Sequence, residues 1–253
     1  MPATPDTWLM YHRPNPHARL RLICFPYAGG SASVFRQWAQ HLPSQIEVCP
    51  VQLPGRENRL HQPPVERMEA LIAALAPALQ PLLTLPYAFF GHSLGALIGF
   101  ELARHLRRMQ LPLPLHLFVS AARAPHLPDP DAPIHHLPDA AFRQELRLLQ
   151  GTPDEILQHE ELFQLLLPCL RADFALFESY RYRPEAPLAI PLTVFGGRQD
   201  RKVSLEALAA WREHTQRACV TRLLPGDHFF LRTAFQPLLQ AMQYDLASKI
   251  SLA

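Results

Sequence analysis

Lysine is scarce in this chain of 253 residues, and neither sign of charge dominates. Lys202 and Lys249 are its two lysines, so chemistry that needs a lysine base or a Schiff base has almost no candidates. The 24 lysine and arginine residues nearly balance the 22 acidic residues, and the formal charge of +2 offers no broad electrostatic surface for nucleic acid. Histidine, with 13 residues, is the available base.

Paired cysteine spacing is also absent from the sequence. The four cysteines form no Cys-x-x-Cys or Cys/His pattern, which favours buried, reduced thiols over disulfides or a zinc site; they are Cys24, Cys49, Cys169 and Cys219. The adjacent residues His135 and His136 are no better as a metal site, because neighbouring side chains rarely converge on one ion. We therefore expect neither a metal nor a cofactor.

An apolar run long enough to cross a membrane is missing as well. The most apolar window, residues 71–90, is broken by Pro77, Pro81 and Pro86 and is typical of a buried helix, a turn and a strand. Residues 1–13 lack the basic start and apolar centre of a secretory signal. We therefore expect a soluble, cytoplasmic protein with no membrane partner, and nothing in the sequence demands more than a monomer.

Short apolar segments rich in Val, Ile, Leu and Phe alternate with longer helical patterns, which is typical of a mostly parallel sheet with helices on both sides. Strands are predicted at residues 20–25, 46–52, 87–90, 115–120, 192–195 and 219–224. Helices are predicted at residues 34–41, 65–83, 94–110, 205–215 and 233–247. The 27 prolines, about twice the usual share of roughly 5%, predict short or broken helices. We interpret residues 1–253 as one α/β domain.

No strand pattern occurs within residues 121–187. A loop over 125–138 leads to a predicted helix over 139–149, and a second helical stretch over 160–180 has apolar residues at spacings of three and four. The segment precedes the strand that leads to Asp200, so it would cover the carboxyl edge of the sheet, where α/β folds bind ligands. We expect a helical lid; an ordinary packed helical layer is the alternative.

The pentapeptide Gly91-His92-Ser93-Leu94-Gly95 follows a strand pattern and precedes a helical one. This is the context of a nucleophile elbow, in which a serine occupies a strained turn and glycines two positions away let strand and helix approach closely. The sequence therefore predicts Ser93 as a nucleophile.

A serine hydroxyl needs a base to become reactive, and that base needs an orienting carboxylate. His228 follows the last predicted strand, and Asp200 follows the strand before it. The order Ser93, Asp200, His228 is that of α/β-hydrolases. Asp227 is an alternative acid by proximity, although adjacent residues in an extended loop usually point apart. The loop after the fourth strand is another alternative, where Asp129 is the nearest acid.

Catalysis by such a serine also needs donors for the oxyanion of the tetrahedral intermediate. The amide of Leu94, just after the nucleophile and at a helix N-terminus, is one predicted donor. The amide of Ala28, in the small-residue loop over 26–30, is the other. Phosphate binding by this loop is disfavoured, because the sequence has no Gly-x-Gly-x-x-Gly and no Gly-Lys-Ser/Thr motif.

Five motifs in register resemble the type II thioesterases that accompany nonribosomal peptide and polyketide synthases. They are Phe-Pro-Tyr-Ala-Gly-Gly at 25–30, Gln-Leu-Pro-Gly-Arg-Glu at 52–57, the elbow at 91–95, Leu-Arg-Ala-Asp-Phe at 170–174, and Gly-Asp-His-Phe-Phe at 226–230. The resemblance extends from about residue 20 to residue 239. One departure is Leu94, where methionine is common, a change that conserves side-chain volume.

This resemblance implies the α/β-hydrolase fold and the removal of acyl groups from the phosphopantetheine arm of an acyl or peptidyl carrier protein. His228, oriented by Asp200, would deprotonate Ser93 to give an acyl-enzyme. Tyr27 and Phe229 are expected substrate contacts beside these residues.

Two arginines near the turn at 53–59 are further expected contacts. Arg56 and Arg59 would bind the phosphate of the arm or an acidic carrier surface, with simple solvation as the alternative. Two other functions use the same fold: a small-molecule esterase or product-releasing thioesterase, and a hydrolase fold kept only for binding.

Overall fold

The computed structural model describes residues 8–250, so the predicted domain over 1–253 extends past the described chain at both ends. At its centre lies a six-stranded sheet in the order β2-β1-β3-β4-β5-β6, in which all neighbouring strands are parallel. The strands are β1 (Leu20–Phe25), β2 (Ile46–Pro50), β3 (Tyr87–His92), β4 (Leu117–Ser120), β5 (Leu192–Gly197) and β6 (Cys219–Leu224). All six predicted strands are present, and their ends differ from the predictions by no more than two residues.

The continuous apolar runs of the central strands follow from burial on both sides of the sheet. In β1, Leu22 and Cys24 pack into one core, and Ile23 and Phe25 pack into the other, because successive side chains point to opposite faces. A strand covered by helices on both faces needs apolar residues at every position.

Helices cover both faces of the sheet. They are α1 (Met68–Leu79), α2 (Leu94–Arg108), α3 (Asp139–Leu149), α4 (Asp154–Gln158), α5 (Glu160–Glu178), α6 (Leu205–Ala209), α7 (Phe230–Thr233) and α8 (Phe235–Ile250). The helix predicted over 34–41 is wrong: two short 3₁₀ helices, Ala32–Phe35 and Trp38–Gln40, stand there instead. Among the described helices, none has the length and apolarity that a bilayer crossing demands.

Residues 121–187 contain α3, α4 and α5 and, within this described range, no named strand. These helices share a small core of their own, formed by Phe142, Leu146, Leu157, Phe163, Leu167 and Leu170. We call residues 121–187 the helical insertion. Its core is additional to the two cores that lie on either side of the sheet.

The strand order creates a crevice at one edge of the sheet. β1 lies between β2 and β3, so the chain leaves β1 toward one side and later returns on the other. Loops that follow such neighbouring strands diverge and open a site at the carboxyl ends. Phe25, the last residue of β1, pairs with Gly91 in β3, which brings the loop over 26–30 beside the predicted nucleophile.

Candidate active site

Ser93 stands on a strained turn between β3 and α2. Its φ of +53° is a left-handed value that costs a residue with a side chain about 1–3 kcal/mol. The Ser93 amide donates to the Ser120 carbonyl over 2.7 Å, which fixes the turn. A Cβ on Gly91 would lie 2.1 Å from the Gly95 carbonyl oxygen, and a Cβ on Gly95 would lie 2.1 Å from that of Phe25. Only glycine fits between these segments.

The same turn lifts the serine out of the core. Between residues 87 and 104, every residue except Ser93 is buried. The side chain is therefore accessible at the carboxyl edge of the sheet, which is the exposure that a nucleophile on an elbow requires.

Asp200 and His228 meet at this edge, on the loops that follow β5 and β6. The carboxylate Oδ2 of Asp200 accepts a hydrogen bond from His228 Nδ1 over 2.9 Å. Its Oδ1 accepts from the amides of Lys202 and Val203 at 2.7 and 3.2 Å. Burial raises the pKa of Asp200, but these hydrogen bonds and the charge of His228 outweigh it, so the pKa lies below its ordinary value. The carboxylate is held ionised where it can orient the ring.

Close backbone contact fixes the spacing of these two loops. A Cβ on Gly197 would lie 2.2 Å from the Asp227 carbonyl oxygen, so the loops approach to the limit that glycine allows. The Gly226 amide donates to the Gln199 side chain over 2.6 Å, and the Gln199 amide donates to the Gly226 carbonyl over 2.9 Å. The Asp200–His228 contact therefore rests on a backbone framework as well as on its own hydrogen bond.

No hydrogen bond joins Ser93 to His228 within residues 8–250. The ring of His92, the residue before the serine, meets the His228 ring edge to face with centroids 5.5 Å apart. Catalytic hydrogen bonds are often long before substrate binds. Of the three predicted catalytic side chains, Asp200 and His228 are thus hydrogen-bonded, and Ser93 is next to the residue whose ring contacts His228.

His92 lies behind the nucleophile and was not selected from the sequence. Its Nδ1 and the Ser120 hydroxyl share a hydrogen bond of 2.9 Å, and its Nε2 has no partner in the described part of the chain. Burial, together with the nearby charge of His228, lowers the pKa of His92 well below its ordinary value. The ring is neutral and packs against His228 without adding a competing charge.

The two alternative acids do not reach the His228 ring. Asp227 is exposed, and its Oδ1 accepts from the Phe229 amide over 2.8 Å. Asp129, after β4, lies 3.3 Å from the Arg123 guanidinium instead. Among the residues that the structure describes, Asp200 is the acid bonded to His228.

The predicted oxyanion donors lie on adjoining segments. Leu94 is the first residue of α2, so its amide has no acceptor inside the helix. Ala28 lies in a turn after β1 that the Gly30 amide closes by donating to the Tyr27 carbonyl over 2.8 Å. The Ala28 amide donates to no residue in the range 8–250. Because β1 and β3 are paired, both amides are available at the same edge.

Tyr27 and Phe229 form an aromatic wall beside His228. The Tyr27 and Phe229 ring centroids are 5.0 Å apart, and those of Phe229 and His228 are 5.2 Å apart. Gly151, in the turn between α3 and α4, lies against this wall, since a Cβ there would be 2.9 Å from Phe229 Cζ. The helical insertion therefore contacts the site.

Arg232 is a cation beside the wall that was not selected from the sequence. Its guanidinium lies 4.8 Å from the Phe229 ring centroid and donates to the Tyr27 hydroxyl and the Gly151 carbonyl at 2.5 and 3.0 Å. The residue is exposed and, over residues 8–250, makes no ion pair. Its position four residues after His228, on the short helix α7, was the signal in the sequence.

The structure corrects the prediction for Arg56 and Arg59. Both are buried, with 4% and 5% of their surface exposed. Arg56 is paired with Asp173 of α5. Arg59 donates to the Gln52 carbonyl over 2.8 Å and stacks 4.0 Å from the Trp8 ring centroid. Neither guanidinium is solvated, and neither is free to bind a phosphate or a carrier surface.

One group of described side chains has metal-like spacing. The ligand atoms of His12, Glu47 and Cys49 lie within 4.8 Å of one another. Glu47 already accepts from the Arg21 guanidinium over 3.0 Å and from the Asn15 amide over 3.0 Å. An arginine thus supplies the positive charge that this carboxylate needs, and Glu47 and Cys49 lie on the edge strand β2, which is not a neighbour of the strand that leads to Ser93.

Similarity to known proteins extends over nearly the whole chain. The thioesterase domain family matches residues 20–244. Linear gramicidin dehydrogenase LgrE of Brevibacillus parabrevis is 48% identical over 97% of this chain and 94% of its own. The RedJ thioesterase from the prodiginine biosynthetic pathway of Streptomyces coelicolor is 42% identical with a TM-score of 0.85, covering 97% of this chain and 94% of that one. The type II thioesterase BorB from the borrelidin biosynthetic cluster is 36% identical with a TM-score of 0.87, covering 95% and 98%.

These matches confirm the resemblance carried by the five motifs. The family match includes β1 through β6, and the solved relatives share the parallel sheet and its helices. The chain is therefore a member of the thioesterase family, an enzyme of the α/β-hydrolase fold whose relatives include type II thioesterases of nonribosomal peptide and polyketide pathways.

Proposed function

We propose that the enzyme hydrolyses acyl thioesters on the phosphopantetheine arm of acyl or peptidyl carrier proteins, and so frees arms that hold an aberrant or stalled acyl group. The observation that carries the proposal is the Asp200–His228 hydrogen bond beside the strained, accessible Ser93. The names of RedJ and BorB, which link those thioesterases to biosynthetic pathways, support the choice of substrate class.

In the proposed acylation step, His228 accepts the proton of Ser93 as the serine oxygen attacks the thioester carbonyl. Asp200, bonded to Nδ1, leaves Nε2 free to accept that proton and stabilises the imidazolium that forms. The amides of Ala28 and Leu94 donate to the oxyanion, where one such donor is typically worth about 3 kcal/mol or more. The carbon–sulfur bond then breaks, the thiolate takes the proton from His228, and the acyl group remains as an ester on Ser93.

Hydrolysis of this acyl-enzyme regenerates the serine. His228 accepts a proton from a water molecule, whose oxygen attacks the ester carbonyl, and then returns the proton to the departing Ser93 oxygen. The products are a free acid and a free carrier thiol. Apart from the substrate and this water molecule, the chain's own side chains and amides supply the groups that this scheme uses.

The proposal includes a channel through which the long phosphopantetheine arm reaches Ser93. We assign Tyr27 and Phe229 as walls of this channel and the helical insertion as the lid over it. The contact of Gly151 with Phe229 supports the lid, because it joins the insertion to the ring that packs against His228.

A comparison of substrates tests the proposed reaction. Acetyl or propionyl carrier protein should be hydrolysed with a higher kcat/KM than simple acyl esters of the same chain length. The Ser93→Ala variant gives the uncatalysed background. A strong preference for the esters would favour a small-molecule esterase, and a preference for full-length product chains would favour a product-releasing thioesterase.

Labelling of Ser93 tests whether the fold is catalytic at all. A serine-reactive phosphonate should label the folded wild-type protein at one site and leave Ser93→Ala unlabelled, because only an activated serine attacks phosphorus. A folded wild-type protein that stays unlabelled would indicate a hydrolase fold kept for binding.

The dehydrogenase activity in the name of LgrE finds no support here, since the sequence lacks the Gly-x-Gly-x-x-Gly dinucleotide motif.

A further inference from the structure

A buried ion pair connects the helical insertion to the sheet layers. Arg56 follows β2, and Asp173 lies on α5; their side chains are 5% and 3% exposed. The pair is bidentate, with Arg56 Nη2 to Asp173 Oδ1 and Arg56 Nη1 to Asp173 Oδ2 both at 2.7 Å. Two parallel bonds of this kind fix orientation as well as distance.

Both members of the pair also bind the loop that carries the proposed oxyanion donor. Asp173 Oδ2 accepts from the Gly29 amide over 2.7 Å, and Arg56 Nη1 donates to the Gly30 carbonyl over 2.8 Å. Leu170, one turn before Asp173, packs so closely that its Cδ2 would lie 2.8 Å from a Cβ on Gly29. The residue directly before these two anchored glycines is Ala28.

The bond to Asp173 also determines which amide of this loop is free. The Gly29 amide donates its hydrogen bond to the Asp173 carboxylate, whereas the Ala28 amide has no partner in the described chain. A buried ion pair by itself is weak evidence for added stability, since apolar residues of similar volume often do as well. Its bonds to Gly29 and Gly30 point to a second role, which is to hold the loop.

We propose that Asp173, fixed by Arg56, is a positioning residue: it anchors Gly29 so that the Ala28 amide points at the oxyanion, and it does so only while α5 is seated against the loop. This inference rests on the proposed serine-hydrolase function. It assigns the insertion a part in catalysis beyond covering the site.

Asp173→Asn tests the proposal, because an amide keeps the size of the side chain and loses the charge that holds Arg56. We expect kcat for thioester hydrolysis to fall by roughly 100-fold, the loss expected for one oxyanion donor, while KM changes less than threefold. A trifluoromethyl ketone, which forms a tetrahedral adduct on the serine, should lose affinity by the same factor as kcat/KM. Arg56→Lys, which keeps the charge and loses the two-point fork, should show a smaller change of the same kind.

Glu101→Gln is the matched control. Glu101 pairs with Arg104 inside α2 and accepts from the Tyr180 hydroxyl, in a buried cluster that does not bind the 26–30 loop. The Glu101→Gln variant should lower the melting temperature as Asp173→Asn does, and it should leave kcat and the affinity for the ketone unchanged.

Two results would overturn the positioning role while leaving the hydrolase function intact. In the first, the phosphonate labels the wild-type enzyme, and a folded Asp173→Asn or Arg56→Lys variant keeps full kcat. In the second, Glu101→Gln loses as much kcat as Asp173→Asn, which would mean that lost stability alone causes the effect. Failure of the wild-type enzyme to react with the phosphonate would instead remove the proposed function itself.

Discussion

The hydrogen bond from His228 Nδ1 to Asp200 decides which nitrogen of the ring is left to accept a proton. We expect Asp200→Asn to lower kcat by roughly 10⁴-fold, because an amide can donate to Nδ1 and so stabilise the wrong tautomer. Steady-state hydrolysis of an acyl carrier protein measures this loss.

Asp227→Asn is the control for that variant. Asp227 is adjacent to His228, carries the same charge and is exposed, with its carboxylate bonded to the Phe229 amide. It should keep kcat within a few-fold of the wild-type value. A larger loss there than in Asp200→Asn would move the orienting acid to position 227.

The sequence predicts the serine, the acid and the histidine because each follows a strand pattern, and parallel strands end at one edge. It misread Arg56 because the partner, Asp173, lies 117 residues away. A charged residue in a polar turn reads as solvated or ligand-binding until the fold shows a buried carboxylate beside it. Arg232 was overlooked for the same reason, since its partners Tyr27 and Gly151 are also far away in the sequence.

Among the elements, the junction of β3 and α2 depends most on glycine. Gly95→Ala would place a Cβ 2.1 Å from the Phe25 carbonyl oxygen in β1, where backbone must move. We expect a loss of at least about 2 kcal/mol in unfolding free energy, together with reduced labelling of Ser93 by a phosphonate. Urea denaturation and the labelling rate measure the two effects.

Gly99→Ala, one turn later on the same helix, is the matched control. Its Cβ would meet only side-chain carbons of Phe25 and Leu117, at 3.4 to 3.5 Å. Alanine in a helix interior is favoured over glycine by up to about 1 kcal/mol, so stability should hold or rise. Equal damage from both substitutions would show that helix packing in general, and not the elbow, is sensitive.

The types of most elements followed from the sequence. The six strands were predicted from short apolar segments, and helices α1, α2, α3, α5 and α8 were predicted from longer helical patterns, although proline and local packing set their ends. Residues 34–41 were misassigned, since Phe35 and Trp38 bury their rings from a pair of 3₁₀ turns as effectively as from an α-helix. A three-residue spacing of apolar side chains fits both conformations.

For the molecule as a whole, buried histidines link stability to pH, and His116 and His214 do so in addition to His92. Burial lowers the pKa of His116 and of His214 to about 4 in each case; the charges of His126 and Arg104 act in the same direction on His214. The ordinary value in an unfolded chain is about 6.5. Because the unfolded chain binds protons that the folded rings do not, stability is full above that value and falls as pH drops toward 4, by roughly 2 kcal/mol per histidine at pH 4.5.

Urea denaturation at pH 7 and pH 4.5 measures this effect. His116→Gln should lose less stability between the two pH values than the wild type, because glutamine does not take up a proton. His17→Gln, at an exposed position, should lose as much as the wild type. An identical loss in all three proteins would assign the acid sensitivity to other groups.

Helix α5 belongs to two cores at once. Its first half, with Phe163 and Leu167, packs in the core of the insertion, whereas Leu176 near its end packs in the large core beside the sheet. Asp173 stands between these two regions. Because α5 joins the two cores, a tilt of the helical insertion would displace Asp173 and, with it, the Gly29 amide that it binds. A substrate that displaced the helical insertion would therefore meet a serine without its Ala28 oxyanion donor. A substrate that entered beneath the insertion would meet a serine with that donor in place.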